Sequence, residues 1–211
     1  MFVKSVMIPK HKCYVVSVDE SLKKVLDVLE HHKIDGVPVL SNGKYAGTIS
    51  RFSIYRHYFE SGMEKDVFLN EVKAGEVASE QGTYVTEKEV FESALVLLQD
   101  APILPVAGED REFLGLITRF DVLDHFKSAF GMNTKGIRIA FSSVETEGRI
   151  ARLGDIIQQH SESVISLVTF DETDKLLRRI VLKLEKKDNM NKFISKLEKS
   201  GFRILDIHED E

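Results

Sequence analysis

Ser50-Arg51-Phe52-Ser53-Ile54-Tyr55-Arg56-His57-Tyr58 recurs in altered form as Thr118-Arg119-Phe120-Asp121-Val122-Leu123-Asp124-His125-Phe126. The displacement is 68 residues throughout; Arg, Phe and His repeat identically, and Ser/Thr, Ile/Val and Tyr/Phe are conservative exchanges. Working outward, Gly47-Thr48-Ile49 answers to Gly115-Leu116-Ile117 at the same displacement. Gly36-Val37-Pro38-Val39 answers to Ile103-Leu104-Pro105-Val106 at a displacement of 67. A register kept across separate segments marks an internal duplication, and a repeat has to be recognised before any fold is assigned.

Each copy reads as strand, helix, strand, strand, helix. In the first, Tyr14 to Val18 is β-branched and apolar, and Asp19 can cap a helix. Leu22, Val25, Leu26 and Leu29 recur at helical spacing as one apolar stripe. Val37 to Leu40 forms a short strand, Asn42-Gly43 signals a hairpin turn, and Tyr45 to Ser50 forms the returning strand. The last helix starts at Arg51 and stops near Gly62. In the second copy Thr86-x-x-Glu89 reads as a capping box, Val90, Ala94, Leu97 and Leu98 form the stripe, and the last helix stops near Gly131. A unit of ~60 residues has little core alone, so the two copies are expected to pack together.

The 211 residues leave room for two or three small domains, and 43% apolar with 30% charged residues is ordinary for a globular chain. No run approaches the ~18–20 apolar residues of a membrane span, and the N-terminal MFVKSVMIPKHK lacks a signal-peptide pattern. Cys13 is the single cysteine, which suits a reducing compartment. A net charge of −5 with interspersed signs makes nucleic acid a poor partner. A cytoplasmic protein with no membrane or nucleic-acid partner is the expectation.

The order of a Pro-Val strand, a turn, and Gly-x-Ile-[Ser/Thr]-Arg-x-[Asp/Ser] opening a helix resembles the CBS domain, seen twice over roughly residues 1–130. The resemblance implies that the copies, expected at 1–66 and 67–131, pair about a pseudo-twofold axis. It also implies adenosine-containing ligands in the clefts between them.

Beyond the polar linker Gly131 to Gly136 the pattern changes. Ile137, Ile139 and Phe141 alternate as a strand, and Gly148 precedes a helix bearing Ile150, Leu153, Ile156 and Ile157. Val164 to Phe170 and Leu176 to Leu184 read as a strand pair around Asp171-Glu172-Thr173-Asp174. Met190, Phe193, Ile194 and Leu197 mark a helix ended by Gly201, and Phe202 to Ile207 a final strand. This β-α-β-β-α-β order over 137–211 is ferredoxin-like, and Glu147-Gly148 at its first strand-to-helix turn resembles the ACT domain. Where that family usually has Pro-Gly, Glu145 and Glu147 supply negative charge that repels a ligand carboxylate. Dimerisation through the sheet edge is therefore expected ahead of amino-acid sensing. The fold class is α+β, a tandem CBS pair followed by a ferredoxin-like ACT domain, resembling the acetoin-utilisation AcuB proteins.

Asp121 is the sharpest candidate. A carboxylate accepts hydrogen bonds from both hydroxyls of a ribose, and in the CBS family the positions of Thr118 and Asp121 hold that sugar. Thr118-x-x-Asp121 is equally a capping box, which explains the pair without a ligand. The first copy has Ser50 and Ser53 instead, and a serine cannot chelate a diol, so unequal clefts are expected. Arg51 and Arg119 stand at helix starts, suited to phosphate or to pairing with a nearby carboxylate. Met7-Ile8-x-x-x-Lys12-x-Tyr14 with Thr118-Arg119 also resembles the small cyclic-di-AMP-binding CBS proteins of Gram-positive bacteria. That resemblance implies phosphate contacts from Lys12 and Arg119, and places Ile34 and Gly36 near the base, with Ile103 the second-copy counterpart of Gly36. Those proteins lack an ACT domain and an acid matching Asp121. Tyr14 is able to stack on adenine, although an aromatic in a strand is more often core.

His57 and His125 lack further ligands at metal spacing and read as packing or dimer-interface residues. No nucleophile elbow, Walker loop or zinc motif is present. The expectation is a non-enzymatic homodimeric sensor with no cofactor, whose regulatory ligand is an adenine nucleotide and whose partner protein is unidentified. AMP, ADP or ATP stands slightly ahead of cyclic di-AMP, because Asp121 favours a free ribose diol whereas Lys12 with Arg119 favours a doubly bridged phosphate. The alternatives are a ligand-free interaction module and an amino-acid sensor acting through the third domain.

Overall fold

A computed structural model describes residues 1–79, 82–144, 146–171, 176–188 and 190–210. Glu145, and Glu172, Thr173 and Asp174 of the expected turn, lie outside the described residues. The chain forms two compact units, Met1–Leu123 and Asp124–Glu211.

The first unit opens with β1 (Ile8–Pro9) and β2 (Val16–Ser17), then α1 (Leu22–His31), β3 (Gly36–Ser41), β4 (Lys44–Ser50) and α2 (Arg51–Ser61). Two short helices follow, α3 (Lys65–Glu71) and α4 (Ala74–Val77), before α5 (Phe91–Leu97), β5 (Ile103–Ala107), β6 (Phe113–Thr118) and α6 (Arg119–Ala129). The division between the units falls within α6. Each copy builds a three-stranded sheet, β2-β3-β4 in the first and β1-β6-β5 in the second.

Local chemistry explains the element ends. Ser50 Oγ accepts the Ser53 N–H at 3.1 Å while Ser53 Oγ accepts the Ser50 N–H at 2.9 Å, a reciprocal cap on α2. The helix stops at Gly62, whose φ of 66° suits glycine. Two expected caps are corrected. α1 is capped by Ser21, not Asp19, because Ser21 Oγ is placed to accept the Lys24 N–H. The Thr86–Glu89 pair closes a turn ahead of α5, whose N-cap is Val90 without a side-chain bond. The expected strand from Tyr14 to Val18 shortens to Val16–Ser17, and Tyr14 is 48% exposed rather than core.

The copies interlace at their borders. Val3 is buried in the core of the second copy with Leu104, Val106 and Ile117, and β1 pairs antiparallel with β6. Conversely Phe68, Ala74 and Val77 from α3 and α4 complete the core of the first copy around Leu22, Val25 and Ile49. Residues on both sides of the expected 66/67 border thus serve the other copy. Between the copies, Ile103, Phe113 and Leu116 form a small shared cluster with Ile8, Cys13 and Leu40. Full burial of one such side chain contributes roughly 1.5–3 kcal/mol, so two cores of this size stabilise better joined than apart.

The second unit continues with β7 (Ile137–Val144), α7 (Arg149–Gln159), β8 (Val164–Asp171), β9 (Leu177–Leu184), α8 (Met190–Lys199) and β10 (Arg203–Glu209). Its antiparallel sheet runs β10-β7-β9-β8, the ferredoxin-like order expected from the sequence. Ile139, Phe141, Ile180 and Leu182 pack against Leu153, Ile156, Phe193 and Leu197 of the helices. Lys183 points from the opposite sheet face, since strand side chains alternate. It is buried there, with Nζ donating to the Gly131 carbonyl at 2.9 Å and paired with Asp210. Asp210 also accepts the Gly136 N–H at 3.2 Å. The Lys183 ammonium, foremost by its hydrogen bond, holds the Asp210 carboxyl below the usual carboxylate range.

Candidate functional site

A cavity of about 530 Å³ lies between the two copies of the first unit. Lys12, Tyr14, Ile34, Gly36, Ile103, Thr118 and Arg119 all line it, so most of the residues singled out in sequence converge there. Ile8, Cys13, Pro102, Leu116, Phe120 and Leu123 supply the rest of an apolar wall, and Lys33 and Asp35 add charge. Three cations thus face one carboxylate around a largely apolar hollow. Gly36 is required by space: a Cβ there would meet Pro102 Cγ at 2.9 Å.

Asp121 does not line this cavity. Its Oδ2 accepts the Thr118 N–H at 2.7 Å and the Thr118 hydroxyl at 2.6 Å, and Thr118 Oγ1 accepts the Asp121 N–H at 3.2 Å. The capping box is fully made, and it satisfies backbone donors at the start of α6 that would otherwise lack partners.

The two arginines do the same work in both copies. Arg51 Nη2 donates to the Leu29 carbonyl at 2.7 Å, and Arg119 Nε donates to the Leu98 carbonyl at 2.9 Å, with Nη2 reaching Gln99 at 3.1 Å. Arg51 therefore braces the last turn of α1 and Arg119 the C-cap of α5 and the residue beyond it, where carbonyls lack intrahelical donors. Arg51 also pairs with Asp35 at 3.5 Å.

Ser50, Arg51 and Ser53 line a second cleft of about 660 Å³, with Arg56, His57 and Arg119. Several of its polar groups are engaged internally. The serines cap each other, Arg56 pairs with Glu60, and His57 Nδ1 lies 2.8 Å from the Ser53 carbonyl. Among the described residues no three His, Cys, Asp or Glu side chains are grouped as a metal site.

Cys13 is half-buried at the wall of the first cavity, its Sγ donating to the carbonyls of Ile8 at 3.3 Å and Pro9 at 3.4 Å. Burial pushes its pKa up to about 11, and the nearby Asp121 charge works in the same direction. Tyr14 stacks on His32 with ring centroids 3.5 Å apart and planes 17° from parallel.

Sequence reasoning did not reach Ile8, Cys13, Lys33, Asp35, Pro102, Leu116, Phe120 or Leu123. Phe120 and Leu123 carried a signal in their spacing: two apolar residues three apart in the first turn of α6, on a face other than that of the buried Val122. Ile8 stood in the Met7-Ile8 motif without a role assigned to it, and Cys13 carried no signal; the pairing of β1 with β6 brings Ile8 to the cavity.

The two interlaced copies thus enclose a hollow rimmed by Lys12, Lys33 and Arg119. Residues 3–60 match the family model of the CBS domain. Among solved structures, CbpB from Listeria monocytogenes in complex with c-di-AMP is 27% identical, with a TM-score of 0.52, over 58% of this chain and 92% of that one. A CBS domain-containing protein of unknown function from Bacillus anthracis is 28% identical, with a TM-score of 0.51, over 60% and 93%. CBSX2 in complex with AMP shares the fold at 23% identity and a TM-score of 0.52, over 59% and 95%. No helix among the described residues is long and apolar enough to cross a membrane.

Proposed function

We propose that this protein is a non-enzymatic cytoplasmic sensor that binds cyclic di-AMP in the cavity between its two CBS copies. The observation that carries this reading is the set of Lys12, Lys33 and Arg119 around an apolar hollow from which the Asp121 carboxylate is withdrawn into its cap. A cyclic dinucleotide brings two phosphates for the cations and two bases for the apolar wall. Its 3′ oxygens are esterified, so it has no ribose diol for Asp121 to chelate. For AMP, ADP or ATP, which the Asp121 carboxylate favours on sequence grounds, Asp121 has one oxygen committed to Thr118 and stands outside the cavity lining. The c-di-AMP complex of the Listeria relative supports the choice.

The carboxy-terminal unit is read as an ACT-like domain that passes the ligand state to an unidentified partner protein. Amino-acid binding is disfavoured there because Arg149, at the first strand-to-helix turn, already donates to the carbonyls of Ser200 and Gly201 at 3.1 and 3.0 Å. The protein is read as a homodimer, supported by Phe52, Tyr55 and Phe59 on one exposed face of α2.

Isothermal titration with cyclic di-AMP, AMP and ATP tests the ligand assignment. Saturable binding of cyclic di-AMP, lost on Arg119→Ala and kept on Asp121→Ala, is expected. Binding of AMP alone, abolished by Asp121→Ala, would replace this ligand with a mononucleotide. Absence of heat with all three would leave the ligand-free interaction module as the reading.

A further inference from the structure

The two copies differ in the loop between the first helix and the following strand. Leu29 and Leu98 are equivalent, since each offers its carbonyl to the arginine of its own copy. Gly36 follows Leu29 by seven positions, whereas Ile103 follows Leu98 by five. The first copy therefore has two additional residues, within the run His31-His32-Lys33-Ile34-Asp35. Lys33 adopts a left-handed φ of 53°, and the loop sets His32 flat against Tyr14. The second copy has neither partner. Val16 pairs in parallel with Val39 as Val85 pairs with Val106, so Thr83 stands where Tyr14 stands in the first.

Tyr14 lines the cavity and His32 does not. Tyr14 also lies outside any strand and is 48% exposed, and His32 is the ring stacked against it. An unsupported exposed ring loses rotamer freedom when a base stacks on it, and that loss weakens binding. We propose that His32 is a positioning residue: it backs the Tyr14 ring and presents it as a ready-made platform for a ligand base. The inference rests on the nucleotide reading above and adds to it the residue that preorganises one cleft and not the other.

The test is a double-mutant cycle read by isothermal titration with cyclic di-AMP on the full chain. Stacking of this kind is worth about a 3- to 10-fold change in affinity. His32→Ala is expected to raise Kd by about that factor, and His32→Phe, which keeps a flat ring, to restore it. In a Tyr14→Ala background His32→Ala is expected to change nothing further, because its effect passes through the tyrosine. An equal loss with and without Tyr14 overturns the inference, as does an unchanged Kd for His32→Ala. His32 is only partly buried, so these variants should fold; a melting curve for each confirms it. A wild type that binds no nucleotide overturns the ligand assignment, and this inference with it. Wild-type binding with an additive cycle overturns this inference alone.

Discussion

Cys13 offers a chemical readout of the cavity from a single atom. The perturbation is alkylation of the chain's only thiol with iodoacetamide at about pH 8, in native buffer and in denaturant. Thiolate is the reacting species, and burial moves this thiol from an ordinary 9.0 to about 11. At that pH the folded protein then holds roughly one-hundredth of the thiolate of the unfolded chain. Alkylation at least about 10-fold slower in the folded state is expected, and slower still where access is also restricted. Because Sγ is at the cavity wall, saturating cyclic di-AMP should slow the reaction further. A folded pKa above the unfolded value contributes stability below pH ~9 that is lost as the pH rises toward ~11. Mass spectrometry of quenched time points gives the rates. A native rate equal to the denatured one would refute the buried, carbonyl-bonded thiol and the wall it belongs to.

Three other outcomes follow from contacts described above. Asp121→Asn keeps the size of the side chain but removes the charge that strengthens its acceptance from Thr118, so a loss of about 0.5–1.5 kcal/mol in urea unfolding is expected. Gly115→Ala places a Cβ 2.2 Å from the Ile8 carbonyl, a clash with backbone on the β1–β6 ladder. A loss of about 1–3 kcal/mol and a lower melting temperature are expected, and an unchanged melting temperature would contradict that pairing. Asp210 has a depressed folded pKa, so its contribution is present above the unfolded value of 3.8 and lost as pH falls through the lower folded one. Asp210→Asn should therefore destabilise the protein at neutral pH and flatten this part of the acid limb; an acid profile identical to wild type argues against the Lys183 pairing.

The duplication was legible because its signals are local: a cap, a glycine stop, a Pro-Val strand. The ferredoxin-like order of residues 137–211 was legible for the same reason, since its two helices carry clean apolar stripes. What escaped was non-local or weakly patterned. β1 is two residues long and includes a proline, so nothing in Ile8-Pro9 announces that it pairs with Leu116 and Gly115. α3 and α4 are short, and their burial depends on the first core rather than on their own periodicity. Of the cavity-lining residues, Lys12, Tyr14, Ile34, Gly36, Ile103, Thr118 and Arg119 stood out in the sequence through motif positions. For Asp121 the sequence offered two compatible roles, a ribose contact and a cap, and the cap is formed. The bracing of helix ends by Arg51 and Arg119 was not foreseen, because a carbonyl acceptor some twenty residues upstream leaves no mark in the sequence.

The exchange of borders between the copies bears on how the molecule comes apart. Cutting the chain between its repeats would strand Val3 and β1 away from the sheet that needs them. A cut after residue 66 would also take Phe68, Ala74 and Val77 from the first core. Neither repeat is an autonomous folding unit, and residues 1–123 should melt in one cooperative transition. A ligand seated between the copies then stabilises both at once, because neither can open without dismantling its neighbour.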